Sequence, residues 1–343
     1  MKKLLSKAFA IAVSSAMLVS CTQGAEQKTA GQPAKEEKKL TAVATMYPVY
    51  EFTSKIGGDK VNVINLIPAG AEAHGFELSP DDMVKIEKSD LLVYNGAGME
   101  SWIDDVKNSV SNKELSFVDS SSGIQLLENM EHDHEEEEEE EHEHHDGQEA
   151  HEEDTHDHEH HHHHGKYDPH IWLGLKEAKI QVENIKNALI EKDPENREYY
   201  ENNCKDYILQ LNELDSIYKE KLAPFKGNTL VVAHEAFGYL FKNYGLNQMG
   251  IEGVFEDSEP DPATMKGIIQ FINDKKIKTI YNETLSSSKV VDAIAKETGV
   301  TIATLDPIEG LTKDAEKAGK DYLSIMMENL ETIVTCLQKE QNM

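Results

Sequence analysis

This sequence is short of cysteine and of positive charge. Only three of its 343 residues are cysteines, and Cys204 and Cys336 are spaced like no metal-binding or redox motif. We expect these two to be isolated thiols buried on helices, with an oxidised pair as the alternative. Lysine and arginine number 34 against 64 acidic residues, which leaves a net charge of −30. Such an acidic surface argues against nucleic acid and anionic lipid head groups as partners and favours metal cations.

Histidine is also scarce outside one segment. Of the 16 histidines, 13 lie in residues 131–164, together with 17 acidic residues and no lysine or arginine. The other three are His74, His170 and His234, which are far apart in the chain. A chain that concentrates histidine in one tract and three separated positions is expected to handle a metal ion.

Long apolar runs are absent beyond the N-terminus. Three lysines precede an apolar run at residues 8–19, which has the pattern of a secretory signal and is too short to span a bilayer. The run ends in Leu18-Val19-Ser20-Cys21, which resembles a bacterial lipobox. We therefore expect a signal peptide at 1–20, lipidation of Cys21, and a tether at 21–39 that anchors an extracytoplasmic protein to the cell membrane. The alternative is an ordinary signal peptide with an incidental cysteine.

Strand and helix patterns alternate on both sides of the histidine tract, and a long helical pattern at about 195–222 separates the two series. Short apolar strands are predicted at 40–46, 61–67, 91–94, 115–118, 229–233, 248–253, 277–281 and 300–305. This alternation predicts an α/β fold of two Rossmann-like lobes with parallel sheets, joined by one long rigid helix. The predicted bounds are 40–194 for the N-terminal lobe, 195–226 for the linking helix and 227–343 for the C-terminal lobe.

Several potential metal ligands follow predicted strands. His74 and His234 each follow a strand, one in each lobe, Asp306 and Glu309 follow the last strand, and His170 follows the tract. Ligands of open α/β sheets collect at the carboxyl ends of strands, so a cleft between the lobes would gather three imidazoles and one carboxylate. That set suits a tetrahedral zinc site. Taken singly, each histidine could equally be a loop or core residue, and Asp306 a turn residue.

Four segments carry a resemblance to a known family. They are residues 68–80 (PAGAEAHGFELSP), 168–173 (DPHIWL), 232–240 (VAHEAFGYL) and 305–311 (LDPIEGL). In this order they resemble the four metal loops of the solute-binding lipoproteins of zinc and manganese ABC importers, over nearly all of the mature chain. The resemblance implies two α/β lobes joined by a rigid helix, with the metal site in the cleft between them.

The resemblance also implies a ligand set. Zinc-type members (ZnuA- or AdcA-like) place histidine at the third site, where manganese-type members have a carboxylate, so His234 makes this chain similar to the zinc type. Glu309 is the expected fourth ligand because its neighbours resemble those of Gram-positive zinc members. Asp306 is the first reserve, and Glu72 or water the second. Ala73 departs from the pattern, since some relatives have an acid there.

The histidine tract is expected to be a second, looser metal site. Residues 131–164 cannot bury apolar area and are predicted to be disordered. Neutral imidazoles beside carboxylates would bind divalent ions weakly and raise their concentration near the cleft; an inert solvated insert is the alternative. The histidines concerned are His132, His134, His142, His144, His145, His151, His156, His158, His160, His161, His162, His163 and His164.

The expected function is that of a monomeric extracytoplasmic receptor that captures Zn²⁺ and delivers it to an ABC permease and its ATPase. Binding of manganese or another divalent metal, with an adhesin or metal-storage role, is kept as an alternative. A zinc hydrolase is the third possibility, but the HExxH-like start at His234 has Gly238 in place of the second histidine. No serine or cysteine nucleophile motif occurs either, so the chain is not expected to be an enzyme.

Overall fold

The computed structural model describes residues 39–129, 165–255 and 260–342. The predicted signal peptide, Cys21, all of the tether except Lys39, and the histidine tract 131–164 lie outside these residues. The bounds predicted for the lobes stay a prediction, and the elements themselves are described below.

The N-terminal lobe is built on a four-stranded parallel sheet with the strand order β2-β1-β3-β4. Its strands are β1 (Leu40–Ala44), β2 (Val61–Asn65), β3 (Leu91–Tyr94) and β4 (Ser116–Asp119). Its helices are α1 (Tyr47–Gly57), α2 (Pro80–Glu87), α3 (Ile103–Ser109) and α4 (Leu175–Lys192). The order places β1 at the centre, with β2 on one side and β3 on the other, so the strand ends beside β1 form a topological switch point.

A long helix, α5 (Arg197–Leu222), leads to the C-terminal lobe, whose parallel sheet repeats the first topology in the order β6-β5-β7-β8. Its strands are β5 (Thr229–His234), β6 (Asn247–Glu252), β7 (Thr279–Glu283) and β8 (Thr301–Leu305). Its helices are α6 (Gly238–Tyr244), α7 (Pro262–Lys275), α8 (Lys289–Thr298), α9 (Lys313–Lys317) and α10 (Tyr322–Gln341). The predicted fold class, two parallel α/β lobes with a long helix between them, is confirmed.

One apolar core runs through both lobes. In β1, Ala42 and Ala44 face this core, whereas Val43 points to a separate cluster beneath α2 and α3. In β5, Val232 faces the same shared core and Val231 points to a cluster beneath α7 and α8. Because side chains alternate along a strand, each sheet turns one face to a core of its own and the other to the common core.

The long helix α5 forms the middle of the shared core. It has 26 residues, which corresponds to about 39 Å of helix. Its buried side chains recur every three or four residues. They are Tyr200, Cys204, Tyr207, Leu211, Leu214, Tyr218 and Leu222. This stripe packs against α1, α4 and α10, so the helix is in contact with both lobes along its length.

Some element bounds differ from the prediction for local reasons. The helix expected at 235–244 begins only at Gly238, because the chain first makes a tight turn in which Ala236 donates its N–H to the carbonyl of His234. The short helix α9 was not predicted, since it has only five residues and no apolar periodicity. Cys204 on α5 and Cys336 on α10 are free thiols as expected, but only Cys204 is buried, whereas Cys336 is half-buried. None of the helices in the described ranges is long and apolar enough to cross a bilayer.

Replacing Leu211 by alanine should lower the free energy of unfolding of the metal-free protein by about 2–5 kcal/mol, as for other buried leucines. Leu211 is fully buried in the shared core, whereas Leu209 on the same helix is 58% exposed. Leu209→Ala is therefore the matched control and should change the free energy by less than about 0.5 kcal/mol. Urea unfolding measures both, and equal effects of the two substitutions would contradict the central position of α5.

Candidate metal centre

Four side chains meet where the two lobes face each other. His74 lies in the loop between β2 and α2, and His170 precedes the short turn that leads into α4. His234 is the last residue of β5, and Glu309 lies in the loop after β8. One ligand atom from each residue lies within 4.8 Å of the other three. The structure thus brings together the three histidines and the first-choice carboxylate that the sequence singled out.

The distances between these atoms fit a single small ion. The Nε2 atom of His170 is 3.1 Å from Nε2 of His74 and 3.3 Å from Nε2 of His234. The Oε1 atom of Glu309 is 3.3 Å from Nε2 of His74, 3.3 Å from Nε2 of His170 and 3.5 Å from Nε2 of His234. A tetrahedron with zinc–ligand bonds of about 2.0–2.1 Å has edges of about 3.3 Å. These atoms are therefore spaced as the ligands of one tetrahedral ion.

The centre is withdrawn from solvent. His170, His234 and Glu309 are 0%, 1% and 5% exposed, and the side chain of His74 is 7% exposed. Burying a carboxylate and three imidazoles so close together is unfavourable unless a positive charge compensates for the lost hydration. A divalent cation at the centre of the cluster would supply that charge and occupy all four inward-facing atoms.

The first and fourth loops meet closely beside the site. Gly70 donates its backbone N–H to the carbonyl of Leu311 over 2.7 Å. A Cβ atom added at Gly310 would lie 2.9 Å from the carbonyl oxygen of Ala71, which is too close for a side chain. Glycine at position 310 is therefore needed to let the loop that carries Glu309 approach the loop that carries His74.

Carboxylates stand behind two of the imidazoles. The Nδ1 atom of His170 is 2.8 Å from Oδ1 of Asp168, and Nδ1 of His234 is 2.6 Å from Oε1 of Glu283. A carboxylate at Nδ1 favours the tautomer with the proton on that nitrogen, so the lone pair of Nε2 faces the centre of the cluster. Asp168 and Glu283 thus orient the rings and make Nε2 a better ligand.

Sequence reasoning did not identify these two carboxylates as functional. Asp168 lies within the DPHIWL segment, two residues before His170, so its position in the sequence could have indicated a partner for that histidine. Glu283 ends β7, the strand that pairs with β5, which ends at His234. Only the order of the strands in the sheet places Glu283 beside His234, so no signal along the chain could have found it.

The charges of the metal-free site are strongly coupled. Burial lowers the pKa of His170, but hydrogen bonds with Asp168 and Glu309 outweigh this effect and raise that pKa above its ordinary value of 6.5. Burial raises the pKa of Glu309, yet the charge of His74 and the imidazoles of His170 and His234 hold this pKa well below its ordinary value. The carboxylate is therefore ionised and ready to bind a cation.

The reserve residues do not join the cluster. Glu72 is exposed, and the Oδ1 atom of Asp306 accepts the backbone N–H of Ile308 over 2.8 Å. Burial raises the pKa of Asp306 to about 6. Ala73, which departs from the pattern of relatives with an acid at this position, is buried next to His74 in the chain. Cys21 and the histidines of the tract lie outside the described residues, so their predicted roles stay predictions.

Comparison with known proteins gives a consistent set of relatives. Residues 42–336 match the family model described as "Zinc-uptake complex component A periplasmic" (ZnuA). The chain is 37% identical over 325 residues to the high-affinity zinc uptake system protein ZnuA of Bacillus subtilis (strain 168), covering 95% of each chain.

Two solved structures are similar over most of the chain. The Zn(II)-bound ZnuA-like domain of Streptococcus pneumoniae AdcA is 32% identical, with a TM-score of 0.70 over 87% of this chain and 99% of that one. The laminin-binding protein Lmb of Streptococcus agalactiae, described as bifunctional with adhesin and metal-transporting activity, is 28% identical. Its TM-score is 0.72, over 88% of this chain and 100% of that one.

The affinity of the four-residue site for Zn²⁺ should fall as the pH is lowered through the pKa of His170. A proton and a metal ion compete for Nε2, and the raised pKa of His170 makes this competition begin above pH 6.5. At higher pH the imidazole is neutral and the affinity should level off. Competition titrations with a chromophoric chelator between about pH 6 and 8 measure this dependence, within the range where histidine titrates. A constant affinity across that range would contradict it.

Proposed function

This chain belongs to the ZnuA family of periplasmic zinc-uptake components, and we propose that it is a receptor that captures one Zn²⁺ ion outside the cytoplasm and delivers it to a membrane permease. In this proposal His74, His170, His234 and Glu309 bind the ion. The observation that carries it is the spacing of their four ligand atoms, with edges of 3.1–3.5 Å at the contacts measured. The zinc-uptake and zinc-bound relatives support the choice of metal.

The donor set favours zinc over harder cations. Three imidazole nitrogens and one carboxylate oxygen suit Zn²⁺, whereas Mg²⁺, Ca²⁺ and Mn²⁺ prefer sites dominated by oxygen. His234, the ligand at the third position, favours zinc over manganese, because it supplies a nitrogen atom where a carboxylate would favour manganese. Calcium bonds of about 2.3–2.6 Å would also require ligand atoms farther apart than those measured here.

The same shell supports a carrier rather than a hydrolase. A catalytic zinc site keeps one position open for water or substrate, whereas four protein ligands fill a tetrahedral ion. Glu235, which follows His234 as in a HExxH motif, accepts the backbone N–H of Gly250 over 3.2 Å. A general base of a metalloprotease would face the metal-bound water, so this contact favours a structural role for Glu235.

The partners and location follow from the family and the N-terminus. As a component of a zinc-uptake complex, the chain would hand its ion to an ABC permease with an associated ATPase. Lipidation of Cys21 would anchor it to the outer surface of the cell membrane, with residues 21–39 as the tether. We also propose that it acts as a monomer, since all four ligands come from one chain.

The histidine tract is proposed as a collector of loosely bound ions. Residues Glu128 and Tyr167 form an antiparallel bridge, and Asn129 donates its N–H to the carbonyl of Lys166. The described segments on either side of the tract are thus joined to each other, close in sequence to His170. Ions bound weakly by the tract would be released near the tight site. Such release to one tight site is what would distinguish a carrier from a metal store.

Purified protein should bind one Zn²⁺ ion tightly, and His234→Ala should weaken that binding by more than the roughly 10- to 100-fold typical of losing an outer-shell partner. Glu77→Ala is the matched control, because Glu77 is exposed in the loop that carries His74. Chelator competition measures the affinity, and anomalous scattering at the zinc edge locates the ion in crystals. Failure of the wild-type protein to bind one ion tightly, or equal affinity of His234→Ala, would refute the proposed receptor.

Replacing residues 131–164 by a short Gly-Ser linker should lower the total number of bound zinc ions while one tight ion remains. The antiparallel bridge between Glu128 and Tyr167 allows such a short connection without moving either end. Equilibrium dialysis followed by metal analysis measures the stoichiometry, with the unmodified chain as reference. Loss of the tight ion, or an unchanged number of loose ions, would contradict the collector role.

A further inference from the structure

The turns that carry His170 and Glu309 are built alike, although they belong to different lobes. In the first, Oδ1 of Asp168 accepts the backbone N–H of His170 over 2.8 Å. In the second, Oδ1 of Asp306 accepts the backbone N–H of Ile308 over 2.8 Å. Each aspartate is followed by proline and bonds to the residue two positions on, which fixes the turn.

The proline carbonyl is also held in both turns. Asn95 donates its Nδ2–H to the carbonyl of Pro169 over 2.9 Å, and Trp172 donates its indole Nε1–H to the carbonyl of Pro307 over 2.7 Å. Both donors are fully buried, so these bonds are shielded from competition by water. Since Trp172 follows His170 closely in the chain, its bond also links the turn of one lobe to the turn of the other.

The second turn differs in where the ligand stands. In the first turn the aspartate accepts the N–H of the ligand His170 itself. In the second turn it accepts the N–H of Ile308, and the ligand Glu309 is the next residue. The intervening Ile308 has a φ of +59°, which is a rare conformation for a β-branched residue. Ile308 is fully buried and would favour an extended conformation if nothing held it. The direction of the Glu309 side chain therefore depends on a backbone conformation that Ile308 does not prefer.

The aspartate that caps Ile308 is itself firmly placed. Asn329 on α10 accepts the backbone N–H of Asp306 over 2.9 Å and donates its Nδ2–H to the carbonyl of Asp306 over 2.8 Å. Asn329 is 3% exposed. The helix thus fixes the backbone on which the Asp306 carboxylate stands.

We infer that Asp306 is a positioning residue for the metal centre: its carboxylate holds Ile308 at positive φ and so directs the Glu309 carboxylate to the three imidazoles. Asp306 is then the counterpart of Asp168 rather than a substitute ligand. This inference rests on the proposed function, because it assigns a role within the same zinc site. Without the cap, Ile308 relaxes towards extended backbone, Glu309 turns away, and the ion keeps three imidazole ligands.

Asp306→Ala should lower the affinity for Zn²⁺ by about 10- to 100-fold, the range typical of an outer-shell partner. Asp306→Asn should restore wild-type affinity, because the amide oxygen accepts the same N–H although the charge is gone. Asp314→Ala is the control, since Asp314 is 97% exposed in the following helix and should not change the affinity. Chelator competition measures all three variants and the wild type at one pH.

The visible absorption of the Co²⁺-loaded proteins gives a readout that a merely structural role would not change. The Asp306→Asn protein should keep the wild-type tetrahedral bands, whereas Asp306→Ala should lose intensity as Glu309 leaves the shell. If Asp306→Asn is as weak as Asp306→Ala, with altered bands, Asp306 acts through its charge or as a ligand and the inference is wrong. Wild-type affinity in Asp306→Ala would also overturn it.

Should Asp306→Ala fail to fold, Asn329→Ala provides the test from a different element. It removes both bonds to the backbone of Asp306 without replacing any ligand residue, so it too must weaken zinc binding. Unchanged affinity in that variant would overturn the inference. Weak binding by the wild-type protein itself would instead refute the proposed function, so the two failures are distinguishable.

Discussion

The burial of one carboxylate and three imidazoles around a single point is the constraint on which this molecule depends. The Oε1 atom of Glu309 lies within 3.5 Å of Nε2 in all three histidines, at a place almost closed to water. In such surroundings an uncompensated charge is costly. The carboxylates behind His170 and His234 turn the lone pairs inward. A divalent ion would complete this arrangement, in keeping with the chain's membership of a family of zinc-uptake components.

The continuous core limits how the site can open. The same apolar cluster contains residues of β1, α5 and β5, so separating the lobes would expose buried apolar surface at about 25 cal/mol per Å². The four ligands lie in loops or at the end of a strand. Ala73, Ile171 and Ile308, each next to a ligand in the chain, belong to the same core, so the ligand loops are anchored in it as well.

The fold also explains how two lobes with the same strand order share one site. In each sheet an inner strand, β1 or β5, lies between two neighbours, and the carboxyl ends of β2, β5 and β7 lead to residues of the site. His74 follows β2, His234 ends β5, and Glu283 ends β7. The turns of His170 and Glu309 are joined by Trp172 and fixed by aspartate caps. The site is therefore held by side chains from sheets, turns and α10 together.

Sequence alone determined the alternation of strands and helices, the two lobes and the three histidines, because periodicity and residue scarcity are properties of the chain itself. The likeness of four loops to a known family indicated zinc as the metal, with manganese as the alternative. Only the tertiary structure distinguishes the surroundings of Glu309, whose carboxylate lies against the imidazoles, from those of Asp306, which stands three residues earlier in the same loop. The backbone conformation of Ile308 and the anchors from Asn329 and Trp172 turn one carboxylate to the imidazoles and the other to the backbone. Likewise Glu283 meets His234 only because β7 pairs with β5. Such contacts join residues far apart in the chain, so no local pattern records them.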